Sequence, residues 1–143
     1  MTILEVKNLN LGFQSEDTFR QALFDVSFSL EKGKMLSVVG ESGCGKSMSA
    51  MSILNLIPKT ARITSGKVLF NGENLLEYSQ KEMQHFRGSK IALIPQDPMT
   101  SLNPLYTVGD QLLEILKFHQ NIQGEEAEKK AIEAFEAVQI PSA

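Results

Sequence analysis

MLSVVGESGCGKSMSA, residues 35 to 50, holds three readings end to end. MLSVVG (35 to 40) is a short apolar run without polar alternation, the pattern of a strand buried on both faces of a parallel sheet. GESGCGKS (40 to 47) fits G-x-x-x-x-G-K-[ST], in which glycines let the backbone turn tightly enough to aim successive N–H groups at phosphate oxygens. Lys46 to Ile57 then reads as a helix, apolar at Met48, Met51, Leu54 and Ile57 and stopped by Pro58. The positive end of that helix adds to the cradle. Strand, glycine loop and helix in that order is the context the motif needs.

The candidate binding residues are therefore Gly40, Glu41, Ser42, Gly43, Cys44, Gly45, Lys46 and Ser47. Lys46 is the point charge for β and γ phosphates, and the Ser47 hydroxyl is a Mg²⁺ ligand. Cys44 reads as a small side chain that fits its place rather than a participant in the chemistry. His85, in a short polar helix, and His119, at the end of another, read as solvated surface residues. Met48, Met51 and Met83 read as core packing.

Working outward from the loop, ILEVKNLNLGF (3 to 13) and ALFDVSFSL (22 to 30) have the spacing of strands, with a polar break over 14 to 21 between them and an EKGK turn (31 to 34) after them. GKVLFNGENLL (66 to 76) is a strand, an Asn-Gly turn and a short return. SQKEMQHFRG (79 to 88) is a short helix that opens on a capping Ser79 and ends at Gly88. KIALI (90 to 94) is a second buried strand, running into PQDPMTSLNP (95 to 104), an ordered loop. Two helices finish the chain, Thr107 to His119 and Glu125 to Val138, the latter with charge pairs such as Glu125 with Lys129.

With 143 residues, 42% hydrophobic and 22% charged, the chain is of globular class and long enough for one sizeable core. A net charge of -3 leaves no global positive field for a nucleic-acid backbone, so nucleic acid is not an expected partner. One cysteine makes no internal disulfide, and MTILEVKNLN lacks the layout of a signal peptide, which together suggest a cytoplasmic protein. No uncharged run approaches the length of a bilayer span, so membrane association would go through a partner.

GESGCGKS together with IALIPQDPMTSLNPLYTVGDQLLE resembles the ATPase subunits of ABC transporters, most closely the peptide and nickel importer branch. The resemblance implies an α/β fold of the P-loop NTPase class, in its N-terminal part: an antiparallel β subdomain and an incomplete parallel-sheet core over 1 to 94, then a glutamine loop and the start of a helical subdomain over 95 to 143. Gln96 falls at the family's glutamine loop, where a neutral amide touches Mg²⁺ or the attacking water. Phe13 falls where the family stacks an aromatic residue on adenine. Phe19 is close by, and a Phe at a strand end also packs in a core, so both readings stay open. Pro95 stands where the family has a Phe. ATP and Mg²⁺ are the implied cofactors. The implied partners are a second ATPase subunit, identical or not, membrane permease subunits and, indirectly, an extracytoplasmic solute-binding protein. The implied location is the cytoplasmic face of the cell membrane, and the solute is not legible.

The 143 residues contain no LSGGQ-type string, no apolar run closing on Asp-Glu and no later switch histidine. Asp97, flanked by prolines, is a poor substitute metal ligand. The expectation is a phosphate cradle that binds better than it turns over, with apolar sheet edges left open to self-association. Two other readings compete with this one. One is a non-catalytic module that binds nucleotide or permease. The other is a different P-loop enzyme, against which stand the absence of an N-K-x-D string and the scattering of Arg20, Arg62 and Arg87.

Overall fold

The computed structural model describes residues 1–97 and 101–140, which divide into two compact units, Met1–Gln84 and the residues from His85 onward. The first unit is built on a four-stranded antiparallel sheet: β1 (Thr2–Gln14), β2 (Phe19–Glu31), β3 (Ala61–Phe70) and β4 (Glu73–Asn74), in the order β2-β1-β3-β4. The polar break between β1 and β2 shrinks to a turn closed by Ser15 N–H donating to the Thr18 carbonyl at 2.8 Å. The Asn-Gly turn forms as expected, Asn71 and Gly72 both at positive φ (50° and 91°), and its return arm is two residues long. The start of β3, Ala61–Ser65, carried no strand signal of its own and is held as a strand by β1.

Each long strand is irregular at the same level. β1 carries Asn8 at φ 49°, β2 carries Asp25 at φ 49° and β3 carries Gly66 at φ 107°. Asn10 ties the level together: its Nδ2 donates to the Asn8 carbonyl (2.9 Å) and the Ser65 hydroxyl (3.0 Å), and its Oδ1 accepts from Gln21 Nε2 (2.8 Å) and Asp25 N–H (3.0 Å). A Cβ on Gly66 would stand 2.6 Å from Leu9 Cα and 2.7 Å from the Asn8 carbonyl oxygen, so the backbones approach too closely for a side chain. The core beside this level is apolar, with Val6, Leu9, Leu11, Leu23 and Val68 buried.

Helix α1 (Lys46–Ile53) is shorter than its apolar pattern suggests and buries its serine face, Ser49 and Ser52. Both hydroxyls are satisfied by donating one turn back, to the carbonyls of Gly45 (3.0 Å) and Met48 (2.7 Å). The helix stops before Pro58 because Asn55, at φ 51°, ends it: Leu56 N–H donates to Met51 carbonyl (2.9 Å) and Asn55 N–H to Ser52 carbonyl (3.1 Å). After β4 come a 3₁₀ turn (Leu75–Glu77) and α2 (Gln80–Phe86), whose Met83 is buried as expected. The capping Ser79 donates to Glu82 through its hydroxyl (2.6 Å) and its N–H (2.7 Å), and Glu82 N–H returns the bond to the Ser79 hydroxyl at 3.3 Å.

Two strand readings differ from what is found. MLSVVG (35 to 40) and all of KIALI (90 to 94) but its isolated bridge at Ile91 carry no ladder, and their apolar side chains are open: Met35 is 92% exposed, Val39 88% and Ile94 91%. A continuous apolar run becomes a buried parallel strand only when neighbours bond both its edges and cover both its faces. Among the described residues none does so for either segment.

In the second unit α3 (Val108–Gln120) and α4 (Glu125–Ala137) form where the apolar spacing puts them, and their core is Leu116, Ala127 and Ala131. Thr107 caps α3 by accepting from Asp110 N–H at 3.1 Å. The i, i+4 pairs present on α4 are Lys129–Glu133 and Lys130–Glu126, both exposed, rather than Glu125 with Lys129. His85 is exposed but stacked on Phe118, and His119 meets Phe118 edge-on, so neither histidine is merely solvated. Of the expected loop 95 to 104, Pro98, Met99 and Thr100 lie outside the described residues. Asn103 is tied to Gln111 by bonds of 2.9 and 3.1 Å.

Candidate functional site

The glycine loop lies in the first unit, between the open segment 35–39 and α1. Gly45 starts the helix at φ 99°, a conformation that L side chains rarely adopt, and no side chain caps the turn. The N–H groups of that first turn therefore have no intrahelical acceptor and point toward the loop's mouth. Lys46 folds across the loop. Its Nζ donates to the carbonyls of Gly40 and Glu41, both at 2.7 Å, and lies 3.6 Å from Cys44 Sγ. Glu41, Ser42, Gly43 and Cys44 are exposed, as is Ser47 in the first turn of α1. Cys44 packs its sulfur over Gly40, 2.8 Å from where a Cβ would be, which agrees with a small side chain that fits.

The arrangement brings main-chain N–H donors, the Lys46 ammonium and the Ser47 hydroxyl to the start of α1. Triphosphate chemistry needs that set: N–H donors for oxyanions, an ammonium for the distal phosphates and an oxygen for a hard divalent cation. Among the described residues there is no group of three or more His, Cys, Asp or Glu that could hold a metal; the Ser47 hydroxyl is one exposed oxygen at the start of α1. The groups whose titration is displaced lie away from the loop. Hydrogen bonds from Ser79 hold the Glu82 carboxyl below its ordinary value, and the bond from the Tyr78 hydroxyl to Glu73 holds Tyr78 above its own.

Phe13 and Phe19 both sit at one end of the β1/β2 ladder. Phe13 is half-buried and paired with Arg20 on one side and Ala61 on the other. Phe19 is 44% exposed, and its ring lies over Gly12, where any Cβ would collide with it. Gln96 is exposed and belongs to the second unit. Sequence reading missed Leu23, a buried β2 residue whose Cδ2 touches the loop at Gly45; an apolar residue in a strand carries no mark of what it supports.

Among the described residues no helix is long and apolar enough to cross a membrane. The family model described as ABC transporter matches residues 23–143. The probable peptide ABC transporter ATP-binding protein y4tR of Sinorhizobium fredii is 48% identical over 139 residues, covering 96% of this chain and 42% of that protein. The oligopeptide transport ATP-binding protein OppD of Bacillus subtilis is 46% identical over 140 residues, 97% of this chain and 39% of that one. Among solved structures, the dimeric post-hydrolysis state of the ATP-binding cassette MJ0796 bound to ADP and Pi superposes with a TM-score of 0.82 at 25% identity, covering 97% of this chain and 58% of that one. The expected fold class, an antiparallel β part followed by helices in the N-terminal portion of such a cassette, stands on that superposition. The chain spans about two fifths of the length of the two curated relatives.

Proposed function

Because this chain belongs to the ABC transporter family, we propose that it is the nucleotide-binding portion of an importer ATPase that energises uptake of peptides or a related solute. The observation that carries the reading is the loop itself: an uncapped helix start at Gly45 with Lys46 folded over it and Ser47 beside it. The names of the relatives supply the solute class, peptide.

Nucleotide fits the residues present. Gly40 and Gly45 let the loop main chain close against Cys44 Sγ and Leu23 Cδ2, where a Cβ would collide, and the N–H groups of the α1 first turn hold phosphate oxygens. Lys46 exchanges its two carbonyl acceptors for β and γ phosphate oxygens, a charge-assisted contact stronger than the one it leaves. The Ser47 hydroxyl would hold Mg²⁺, which would neutralise phosphate charge when bound; Gln96, in the second unit, is the other residue that the family resemblance assigns to the metal or the water. Gln96 also orients the attacking water. Phe13 stacks on adenine, with Phe19 as the alternative. In this reading 1 to 94 carry the cradle and 95 to 143 open the helical part that meets permease subunits, while a second ATPase subunit completes the site on the cytoplasmic face of the membrane. No LSGGQ-type string, apolar run closing on Asp-Glu or later switch histidine occurs in these 143 residues, so this stretch by itself binds ATP with little or no turnover in this reading.

A calorimetric titration of the chain with Mg-ATP and with Mg-GTP, with phosphate release followed on the same samples, tests this. ATP binding without sustained phosphate release is expected. No binding overturns the reading. A preference for GTP moves the chain to another class of P-loop enzyme, and steady release overturns the assignment of turnover to other residues.

A further inference from the structure

We propose that Leu23, a core residue of β2, is a positioning residue for the nucleotide-binding loop, an inference that rests on the nucleotide reading above. Leu23 Cδ2 lies 2.5 Å from the point where a Cβ on Gly45 would stand, so the loop rests its main chain directly on this side chain. Leu23 is 2% exposed and has no free space to swing into. Gly45 is the N-cap of α1, immediately before Lys46, so whatever holds Gly45 also sets where the lysine and the first-turn N–H groups point.

The other end of the contact is equally specific. Leu23 pairs across the ladder with Leu11, which is fully buried, and Leu11 stands two residues before Phe13. Phe13 in turn pairs with Arg20, on the strand that carries Leu23. One packed leucine therefore joins the phosphate loop to the sheet end that presents both candidate adenine-stacking rings. Its volume sets the height of the loop over the sheet. Binding a triphosphate and a base at once requires that height to be right, because displacement of a positioned group by about 1 Å costs up to about 100-fold in function.

The test measures Mg-ATP affinity of the whole chain, with folding followed by circular dichroism and urea unfolding, for wild type, Leu23→Val, Leu23→Ala, Leu23→Met and Leu9→Ala. Leu9 is a fully buried leucine in the same sheet, and the contacts at Gly40 and Gly45 are to Cys44 and Leu23 rather than to it, so it reports what core loss alone does. The expected order is near-wild-type affinity for Leu23→Met, about 3-fold weaker binding for Leu23→Val, about 10-fold or more for Leu23→Ala, and under about 2-fold for Leu9→Ala despite comparable destabilisation. Wild-type binding in folded Leu23→Val and Leu23→Ala overturns the inference, as does Leu9→Ala binding as weakly as Leu23→Ala. If Leu23→Ala does not fold, the valine and methionine variants decide alone. Failure of the wild type to bind Mg-ATP overturns the nucleotide reading instead.

Discussion

Lys46 Nζ lies 2.7 Å from the Gly40 carbonyl oxygen, so the loop's cation is held at the loop rather than released to solvent. Replacing it removes the ammonium that meets the distal phosphates and leaves the sheet core untouched. Lys46→Ala is expected to weaken Mg-ATP binding by about 100-fold, on the order of 3 kcal/mol, with an unchanged urea midpoint. Equal affinity in a folded variant would show that ATP is bound elsewhere.

Gly66 is boxed in by the backbone of β1, with the Lys7 carbonyl oxygen 2.8 Å from where its Cβ would stand, and it holds φ 107°. Gly66→Ala meets both the left-handed penalty and overpacking against main chain, which cannot rotate away. A loss of about 3 kcal/mol in urea unfolding is expected. A loss below about 1 kcal/mol would mean that the three-strand level relaxes freely.

Hydrogen bonds from Ser79 hold the Glu82 carboxyl below 4.5. A depressed carboxyl stabilises the fold above that value and loses its effect as pH falls from 4.5 through the lowered folded value. Tyr78 runs the other way: held above 10.0 by its bond to Glu73, it stabilises the fold below 10.0 and loses its effect as pH rises from 10.0 through the raised folded value. Glu82→Gln is therefore expected to unfold at a lower temperature than wild type near about pH 7, with the two melting points converging as pH falls below 4.5 through the lowered folded value. A gap that stays constant across that range would remove the charge from the account.

Met35, Val38 and Val39 form a run of exposed apolar side chains next to the loop. Such a run favours association, and the 143-residue chain is expected to form dimers or larger species at about 50 µM, with Val39→Lys raising the monomer share. Light scattering coupled to size exclusion, giving a clean monomer for wild type, would count against it.

The glycine loop, α3, α4, the Asn-Gly turn and the Ser79 cap were legible because each is decided locally, by glycine, asparagine and capping chemistry within a few residues. What escaped depends on distant chain. Segments 35–40 and 90–94 have strand composition, but a strand is made by its neighbours. The length of α1 turned on Asn55 adopting a left-handed conformation, which the more conspicuous Pro58 concealed. In the site, the donors announced themselves by type and spacing, whereas Leu23 is ordinary in sequence and acquires its place through a contact 22 positions away in chain order, with Gly45. The irregular level in the sheet did leave a trace: β1 buries even-numbered Val6 and then odd-numbered Leu9 and Leu11, a change of parity that an extra residue explains.

That change of parity makes the sheet behave like a text with a reading frame. β1 gains a residue at Asn8, and β2 and β3 each gain one at the same height, so the pairings Leu11↔Leu23 and Leu11↔Ile63 resume in step. Deleting one residue from a single strand at this level would be a frameshift, sending every side chain beyond it to the opposite face and taking Phe13 or Leu23 with it. The three strands can be shortened or lengthened here only together, and the sheet's length is thereby inherited as a set of three.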